Sequence, residues 1–232
     1  MLAHKGSAIY ISDKIRDKYN DDMGLDGETI YLNSTVKRKL FAPVNTDNPS
    51  ITYFGNIGMG RNHSLNDIGY ALGRINPKYI LEVYSGSKNP LEYGVFKDNP
   101  NVYYGGTIPY EQVQEKMQNS DVTVIVEGFL PKDIDESRYS LSTKAADVLA
   151  SGVTILTYGS QECGIVEYMQ STMASYVCTN KKDLEAVIRE MLSTPKKQKE
   201  YYEQQIVMTH KHHNVDRSCE MFMTVVNRAI SK

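Results

Sequence analysis

The sequence predicts an α/β fold, a doubly wound parallel sheet, and three observations carry that prediction. Short β-branched apolar runs alternate with longer helical patterns along most of the 232 residues, as strands covered by helices do. A glycine-rich loop, Gly55-Asn56-Ile57-Gly58-Met59-Gly60, joins one such run directly to a helix. Further on, Lys144 and Asp147 stand three apart on one face of a short helix that Gly152 stops before the apolar run Val153-Thr154-Ile155-Leu156.

The elements follow in order. Ala8-Ile9-Tyr10-Ile11 reads as a strand, Asp13 to Asn20 as a helix and Thr29-Ile30-Tyr31-Leu32 as a second strand. A polar stretch through Asn45-Thr46-Asp47-Asn48-Pro49 separates these from a second series. That series runs through strand Ile51-Thr52-Tyr53-Phe54, a helix from about Ser64 to Ile75, strands Ile80 to Tyr84 and Val102 to Tyr104, helix Tyr110 to Asn119 and strand Val122 to Val126. The helix carrying Lys144 and strand Val153 to Leu156 come next, then Tyr176-Val177-Cys178 and a helix from Lys181 to Leu192. Beyond Pro195 a charged stretch continues as helix through Met208 to Ile230, where Met221, Phe222, Val225, Val226 and Ile230 recur at helical spacing and need a surface to cover. This order is that of one principal doubly wound domain with terminal extensions, in which ligands bind at the carboxyl edge of the strands.

Composition narrows the function classes. The balance of 26 basic against 28 acidic residues, a formal charge of −2, includes no Lys/Arg block of the kind that grips a phosphodiester backbone, so no nucleic-acid partner is expected. No apolar run approaches the roughly 18 to 20 residues that span a bilayer, and Met1-Leu2-Ala3-His4-Lys5-Gly6 lacks the apolar stretch of a secretory signal. Cys163, Cys178 and Cys219 are odd in number and widely separated, which suits a reducing cytoplasm better than a disulfide framework or a zinc knuckle. His210, His212 and His213 have no acidic or cysteine partner at ligand spacing, so no metal site is expected.

The chemistry-bearing residues collect at predicted strand ends. The glycine loop has the spacing G-x-x-G-x-G, which is neither the dinucleotide fingerprint nor the P-loop, and it suits a tight turn as well as a diphosphate cradle. Arg61 at its end adds a guanidinium able to grip phosphate oxygens bidentately. Glu127 follows the strand Val122 to Val126 directly and is expected to project into the same cleft. Lys144 adds a full charge where a helix start offers free N–H groups and positive dipole density, while Ala145, Ala146, Val148, Leu149 and Ala150 offer small or apolar packing. Among the seventeen tyrosines, Tyr103 or Tyr104 is placed to wall a base pocket.

Together these residues resemble the carboxyl-terminal, donor-binding domain of the large retaining glycosyltransferase family with the GT-B fold, of the group 1 or family 4 type, over nearly the whole chain. Ala8-Ile9-Tyr10-Ile11-Ser12 is similar to the strand at that family's interdomain hinge, and Tyr31-Leu32-Asn33-Ser34-Thr35-Val36 stands where the family often reads Asn-Gly-Val. In the family the glycine loop carries an Arg directly after its first glycine and a Lys further on, both reaching the donor diphosphate. Here Asn56 occupies the first position and Arg61 the second, and Lys144 is expected to supply the missing charge. Glu127 matches the first of the family's two glutamates, near the donor sugar, and Asp147 the second, on the ribose. Asp replaces Glu there, and Leu130-Pro131-Lys132-Asp133-Ile134-Asp135-Glu136 widens the interval. Gly105-Gly106-Thr107-Ile108-Pro109 stands where the family's backbone often touches the base, and Gly159 to Gly164 where a loop faces the sugar. His213-Asn214-Val215-Asp216-Arg217-Ser218 resembles the start of the last helix, which crosses back onto the amino-terminal domain.

The resemblance implies a Rossmann-like donor domain over residues 1–207 that starts at about the hinge, a crossing helix over 208–232, and no amino-terminal acceptor domain. It implies retaining hexosyl transfer from a nucleotide-diphosphate sugar to a saccharide or lipid-linked acceptor, in bacterial polysaccharide or surface-glycan synthesis, in the cytoplasm or peripherally at the inner membrane face, without an obligatory metal or cofactor. Arg61 and Lys144 are the expected leaving-group residues, and Glu127 the expected sugar-positioning one. Gly55, Asn56, Gly58, Gly60, Arg61, Gly106, Thr107, Ile108, Lys144 and Asp147 are the expected nucleotide contacts. Alone, the chain is expected to bind a donor without glycosylating an acceptor. Two other readings stay open: a non-catalytic nucleotide-binding or partner module, dimerising through the hinge or the last helix, and, ranked lower, a nucleotide-sugar epimerase, for which no acid/base pair is evident.

Overall fold

Along the central strands, alternate side chains serve opposite faces, and this period of two builds the domain. The computed structural model describes residues 8–25 and 27–230; Met1-Leu2-Ala3-His4-Lys5-Gly6, read above for a secretory segment, lies outside the described residues. Strands β1 (Ile9–Tyr10) and β2 (Glu28–Thr29) flank helix α1 (Asp13–Met23). The main series follows as β3 (Ile51–Phe54), α2 (Arg61–Ile75), β4 (Leu81–Tyr84), the single turn α3 (Pro90–Tyr93), β5 (Val102–Gly106), α4 (Tyr110–Asn119), β6 (Val122–Val126), α5 (Pro131–Ser137), α6 (Lys144–Ser151), β7 (Thr154–Tyr158), α7 (Gly164–Thr172), β8 (Tyr176–Cys178) and α8 (Leu184–Ser193). Helices α9 (Pro195–His212) and α10 (Val215–Ile230) close the chain.

Six strands form one parallel sheet in the order β5-β4-β3-β6-β7-β8. Ile51, Tyr53, Val122, Val124, Val126, Leu156 and Tyr158 face a core shared with Leu65, Ile68 and Leu72 of α2 and Leu184, Ile188 and Met191 of α8. Phe54, Ile125 and Ile155 face the other way, onto Met117 of α4, Val148 and Leu149 of α6, and Ile165, Val166 and Met169 of α7. Both faces are therefore covered, as the uninterrupted apolar strands predict, and α6 ends at Gly152 as expected.

The terminal segments are held by polar side chains. Gln198 of α9 accepts from Val44 N–H at 3.0 Å and donates to Met191 O at 2.6 Å, and Gln205 donates to Val153 O at 2.9 Å. Arg38 reaches Leu149 O at 2.8 Å and Thr209 Oγ1 at 2.9 Å. Strands β1 and β2 pair in parallel as a separate two-stranded sheet.

Three expectations change. The second strand is Glu28–Thr29 rather than Thr29 to Leu32, because β1 offers it only two residues of pairing. Helix α7 adds an element that the sequence patterns left unassigned, and only its first residue, Gly164, falls in the expected Gly159 to Gly164 loop. The last helical stretch is two helices, not one: the His213 ring bonds Leu32 O at 2.6 Å, and Asn214 caps α10 by accepting from Arg217 N–H at 3.0 Å. On α10 the apolar stripe is half covered, with Val225 buried but Phe222, Met223 and Ile230 at least half exposed. Among the described residues, no helix is long and apolar enough to cross a membrane.

Candidate functional site

The strand order reverses between β3 and β6: the chain moves outward from β3 through β4 to β5, then returns to β6 and continues through β7 to β8. Loops leaving the carboxyl ends of these two neighbours diverge, and the crevice between them is where open α/β sheets bind ligands. The Gly55–Gly60 loop follows β3, and Glu127 follows β6. Because α6 crosses back from β6 to β7, its amino terminus returns to this same edge, bringing Lys144 with it.

Backbone geometry in the loop depends on its glycines. Gly55 has φ +136°, and a Cβ there would stand 2.6 Å from Lys144 Nζ. The lysine thus lies directly against bare backbone. Asn56 Oδ1 accepts from Gly58 N–H at 2.6 Å, and Tyr53 Oη donates to Asn56 O. Met59 takes a left-handed φ of 57°, uncommon outside glycine. Gly60 follows with φ 74°, and its carbonyl accepts the first bonds of α2 from His63 and Ser64.

Arg61 opens α2 and turns its fork onto Glu127, with Nε 2.9 Å from Oε2 and Nη2 3.1 Å from Oε1. The pair is nearly dry, with side-chain exposures of 13% and 4%. Glu127 is therefore buried against the guanidinium rather than projecting freely. Burial pushes its carboxyl above the ordinary range, while Arg61 and then Lys144 draw it back. Lys144 Nζ is 3.0 Å from Tyr53 Oη and 4.4 Å from the centre of that ring. Thr143, at the N-cap of α6, makes no side-chain bond to the first-turn amides. Asp147, one turn on, accepts from Ser34 Oγ at 2.6 Å.

The structure therefore brings Gly55, Asn56, Gly58, Gly60, Arg61, Glu127 and Lys144 together, with Asp147 tied to the segment after β2. Gly106, Thr107 and Ile108 stand two strands away at the end of β5. Gly106 O accepts from Ser85 N–H, and Ile108 packs on the second core. Tyr103 lines a pocket at the opposite, amino edge, with Ser50 and Ile80. Tyr104 stacks on Tyr93 and lies 3.0 Å from Ser87 O, at the carboxyl edge. Sequence reasoning missed Tyr53, Ser34 and Asp133. Tyr53 reads as one more apolar strand residue, and its hydroxyl acquires a role only when Lys144 arrives.

His212 and His213 lie elsewhere, in a seam with Tyr31 and Tyr168. Tyr168 Oη is 3.0 Å from both His212 Nδ1 and His213 Nε2. Among the described residues, no group of three or more His, Cys, Asp or Glu side chains is arranged to hold a metal ion.

Comparison with known proteins places this arrangement. A family described as glycosyl transferase-like matches residues 57–224. The chain belongs to this glycosyl transferase-like family. The matched span takes in Gly58, Gly60, Arg61, Glu127, Lys144 and Asp147 and begins just after Gly55 and Asn56. No curated protein matches this glycosyl transferase-like chain. Solved structures share its fold. Sucrose-phosphate synthase from Thermosynechococcus elongatus aligns with a TM-score of 0.68 at 15% identity, over 96% of this chain and 58% of that one. A mutant of S. aureus TarM, in complex with fondaparinux, alpha-GlcNAc-glycerol and UDP, aligns at 0.72 and 12%, over 96% and 44%. The C-terminal domain of LpcC, a glycosyl transferase group 1 family protein from Francisella tularensis, aligns at 0.57 and 10%, over 79% and 99%. The glycosyl transferase-like chain thus spans about half the length of the first two, and its sheet matches the Rossmann-like domains of GT-B glycosyltransferases.

Proposed function

We propose that this chain is the donor-binding, carboxyl-terminal half of a retaining GT-B glycosyltransferase and that its crevice takes a nucleotide-diphosphate sugar. The observation that carries the reading is Lys144: a cation held over Tyr53, against the bare backbone of Gly55, at the uncapped start of α6 and at the switch point of the sheet. A departing diphosphate needs preorganised positive charge, which Lys144 and the first-turn amides of α6 provide without an obligatory metal. Lys144 is the substitute for the charge that Asn56 lacks. The buried Arg61–Glu127 pair holds the Glu127 carboxylate at the floor of the crevice, where it positions the sugar. Asp147 remains within reach of a ribose if Ser34 yields, and Gly106, Thr107 and Ile108 border the base side.

UDP is the first nucleotide to try, because TarM was solved with it and a trehalose-6-phosphate structure from E. coli with UDP-2-fluoro glucose. The fold likeness to an isolated C-terminal domain supports the placement within the complete enzyme. The acceptor is a saccharide or lipid-linked saccharide presented by an amino-terminal domain, in bacterial surface-glycan synthesis on the cytoplasmic side of the membrane.

Thermal unfolding against UDP, GDP, CMP and dTDP tests the site. A ligand at about one hundred times its dissociation constant raises the midpoint by about 5 to 10 °C for a chain of this size. Lys144→Ala is expected to weaken the responding nucleotide about 10- to 100-fold, the loss of a charge-assisted bond. Unchanged affinity in that variant would remove Lys144 from the site.

A further inference from the structure

Tyr53 reaches the crevice from the core. The residue is fully buried, and its ring packs in the apolar layer shared with α2 and α8. A tyrosine hydroxyl carried so deep needs partners in exchange for the water it has given up. It finds them on two different elements: Asn56 O in the glycine loop, and Lys144 Nζ, 3.0 Å away, at the start of α6.

The direction of these bonds follows from the chemistry of the three groups. An ammonium only donates and a carbonyl only accepts, so the proton of Tyr53 Oη goes to Asn56 O and a lone pair of the same oxygen receives Lys144. Lysine ends a flexible four-carbon stem, and holding that stem in one conformation costs rotamer entropy that ligand binding would otherwise bear. The anchor is rigid because Tyr53 stands on β3, inside the sheet between β4 and β6. Gly55 bounds the other side of the lysine, where a Cβ would stand 2.6 Å from Nζ and 3.0 Å from Cδ.

A ring face attracts a cation over a broad area, whereas a hydroxyl accepts at one point. Resting on the reading above, we propose that Tyr53 is a positioning residue of the transfer site: its hydroxyl, rather than its ring, sets Lys144 where the leaving diphosphate needs charge and joins α6 to the glycine loop as one unit. Tyr53 itself touches no ligand, because its side chain is covered. It acts through Lys144.

Tyr53→Phe keeps the ring and removes only the hydroxyl, so it separates the two. In NMR spectra of the chain labelled with ¹³C-lysine, the ring beneath Lys144 is expected to move its ε-methylene signals upfield of the other lysines, with Lys144→Met identifying them, and Tyr53→Phe to remove most of that displacement. No displacement in the parent, or the same displacement in Tyr53→Phe, overturns the proposal. Should Tyr53→Phe not fold, Lys144→Met is read from the other side: with tyrosine labelled at Cζ, the Tyr53 signal is expected to shift as its oxygen loses a donor, and an unmoved signal overturns the proposal. UDP titrations add a readout that lost packing does not give. Tyr53→Phe is expected to weaken UDP about 5- to 10-fold, and to change nothing further in the Lys144→Met background, where no charge is left to position. Equal losses in both backgrounds, or no loss in either, overturn the proposal while the donor site stands. If none of UDP, GDP, CMP and dTDP binds the parent, the donor reading fails, and the lysine signals still decide whether Tyr53 holds Lys144.

Discussion

Two regions of this molecule bury titratable side chains together, and they differ in whether the groups satisfy one another. In the seam between the terminal helices and the domain, a carbonyl fixes every proton. Leu32 O only accepts, so His213 Nδ1 carries the hydrogen, 2.6 Å away. His213 Nε2 then accepts from Tyr168 Oη, and that oxygen accepts from His212 Nδ1. Tyr31 stacks on His212 at 4.5 Å and donates to Asp13 Oδ2 at 2.6 Å. The chain of bonds closes, and burial keeps both imidazoles neutral, pushing His212 down to about 4 and His213 in the same direction. At the carboxyl edge the bonds do not close. Arg61 and Glu127 pair through the guanidinium fork, Lys144 meets a tyrosine hydroxyl and ring, and among the described residues one Asp133 oxygen has no hydrogen-bond partner. A closed network stabilises a fold, whereas open valences beside a crevice mark the place where a ligand completes the set.

The largest expected effect comes from breaking the one closed pair at the edge. Arg61→Met leaves Glu127 buried and unpaired and is expected to lower stability by about 3 to 5 kcal/mol in urea unfolding. Replacing both, as Arg61→Met with Glu127→Leu, is expected to recover most of it. If the double variant stays as unstable as the single one, the pair is not the unit described here.

In the seam, Tyr168→Phe removes the bridging hydroxyl and leaves two ring nitrogens without a partner. A loss of about 1 to 3 kcal/mol is expected, with nucleotide affinity unchanged. Altered nucleotide binding in this variant would erase the distinction between the regions.

The smallest effect separates the two regions by pH. The histidines have folded pKa values below their unfolded ones, so between about pH 6.5 and 4 the unfolded chain binds protons that the folded chain refuses, and stability falls with acid. Glu127 works in the opposite sense. Its folded pKa is raised, so the folded chain takes up that proton first, and acidification through this value returns stability that ionisation had removed. Urea midpoints measured from pH 7 to 5 are expected to decline in the parent and to decline less in His212→Gln. An equal slope in the two would move the acid response out of the seam.

Strands β3, β6 and β8, and helix α4, occupy the residues that their patterns predict, because each is an uninterrupted apolar run or an amphipathic stretch whose partner is set by its own period. Lys144, Gly152 and the strand after it were legible for the same local reason. Helix α7 was not: Gly164 and Cys163 at its start read as loop, and its burial comes from the sheet rather than from its own sequence. The break before α10 was legible through the family resemblance, which puts the start of the last helix at His213, but not through periodicity, since His213 and Asn214 leave the helix only to meet Leu32 and to cap the next one.

By itself the sequence determined the alternation of strands and helices, the glycine loop, and the family that those residues resemble, because local periodicity and glycine placement depend on neighbours in the chain. Tertiary structure alone decided who pairs with whom. Arg61 meets Glu127 across 66 positions, Lys144 meets Tyr53 across 91, and Asp147 meets Ser34 across 113. The first two contacts exist because the strand order reverses between β3 and β6 and the crossover returns α6 to that edge; the third exists because the segment after β2 passes over α6. Periodicity says which face a residue takes, but the order of strands in the sheet says what stands opposite it.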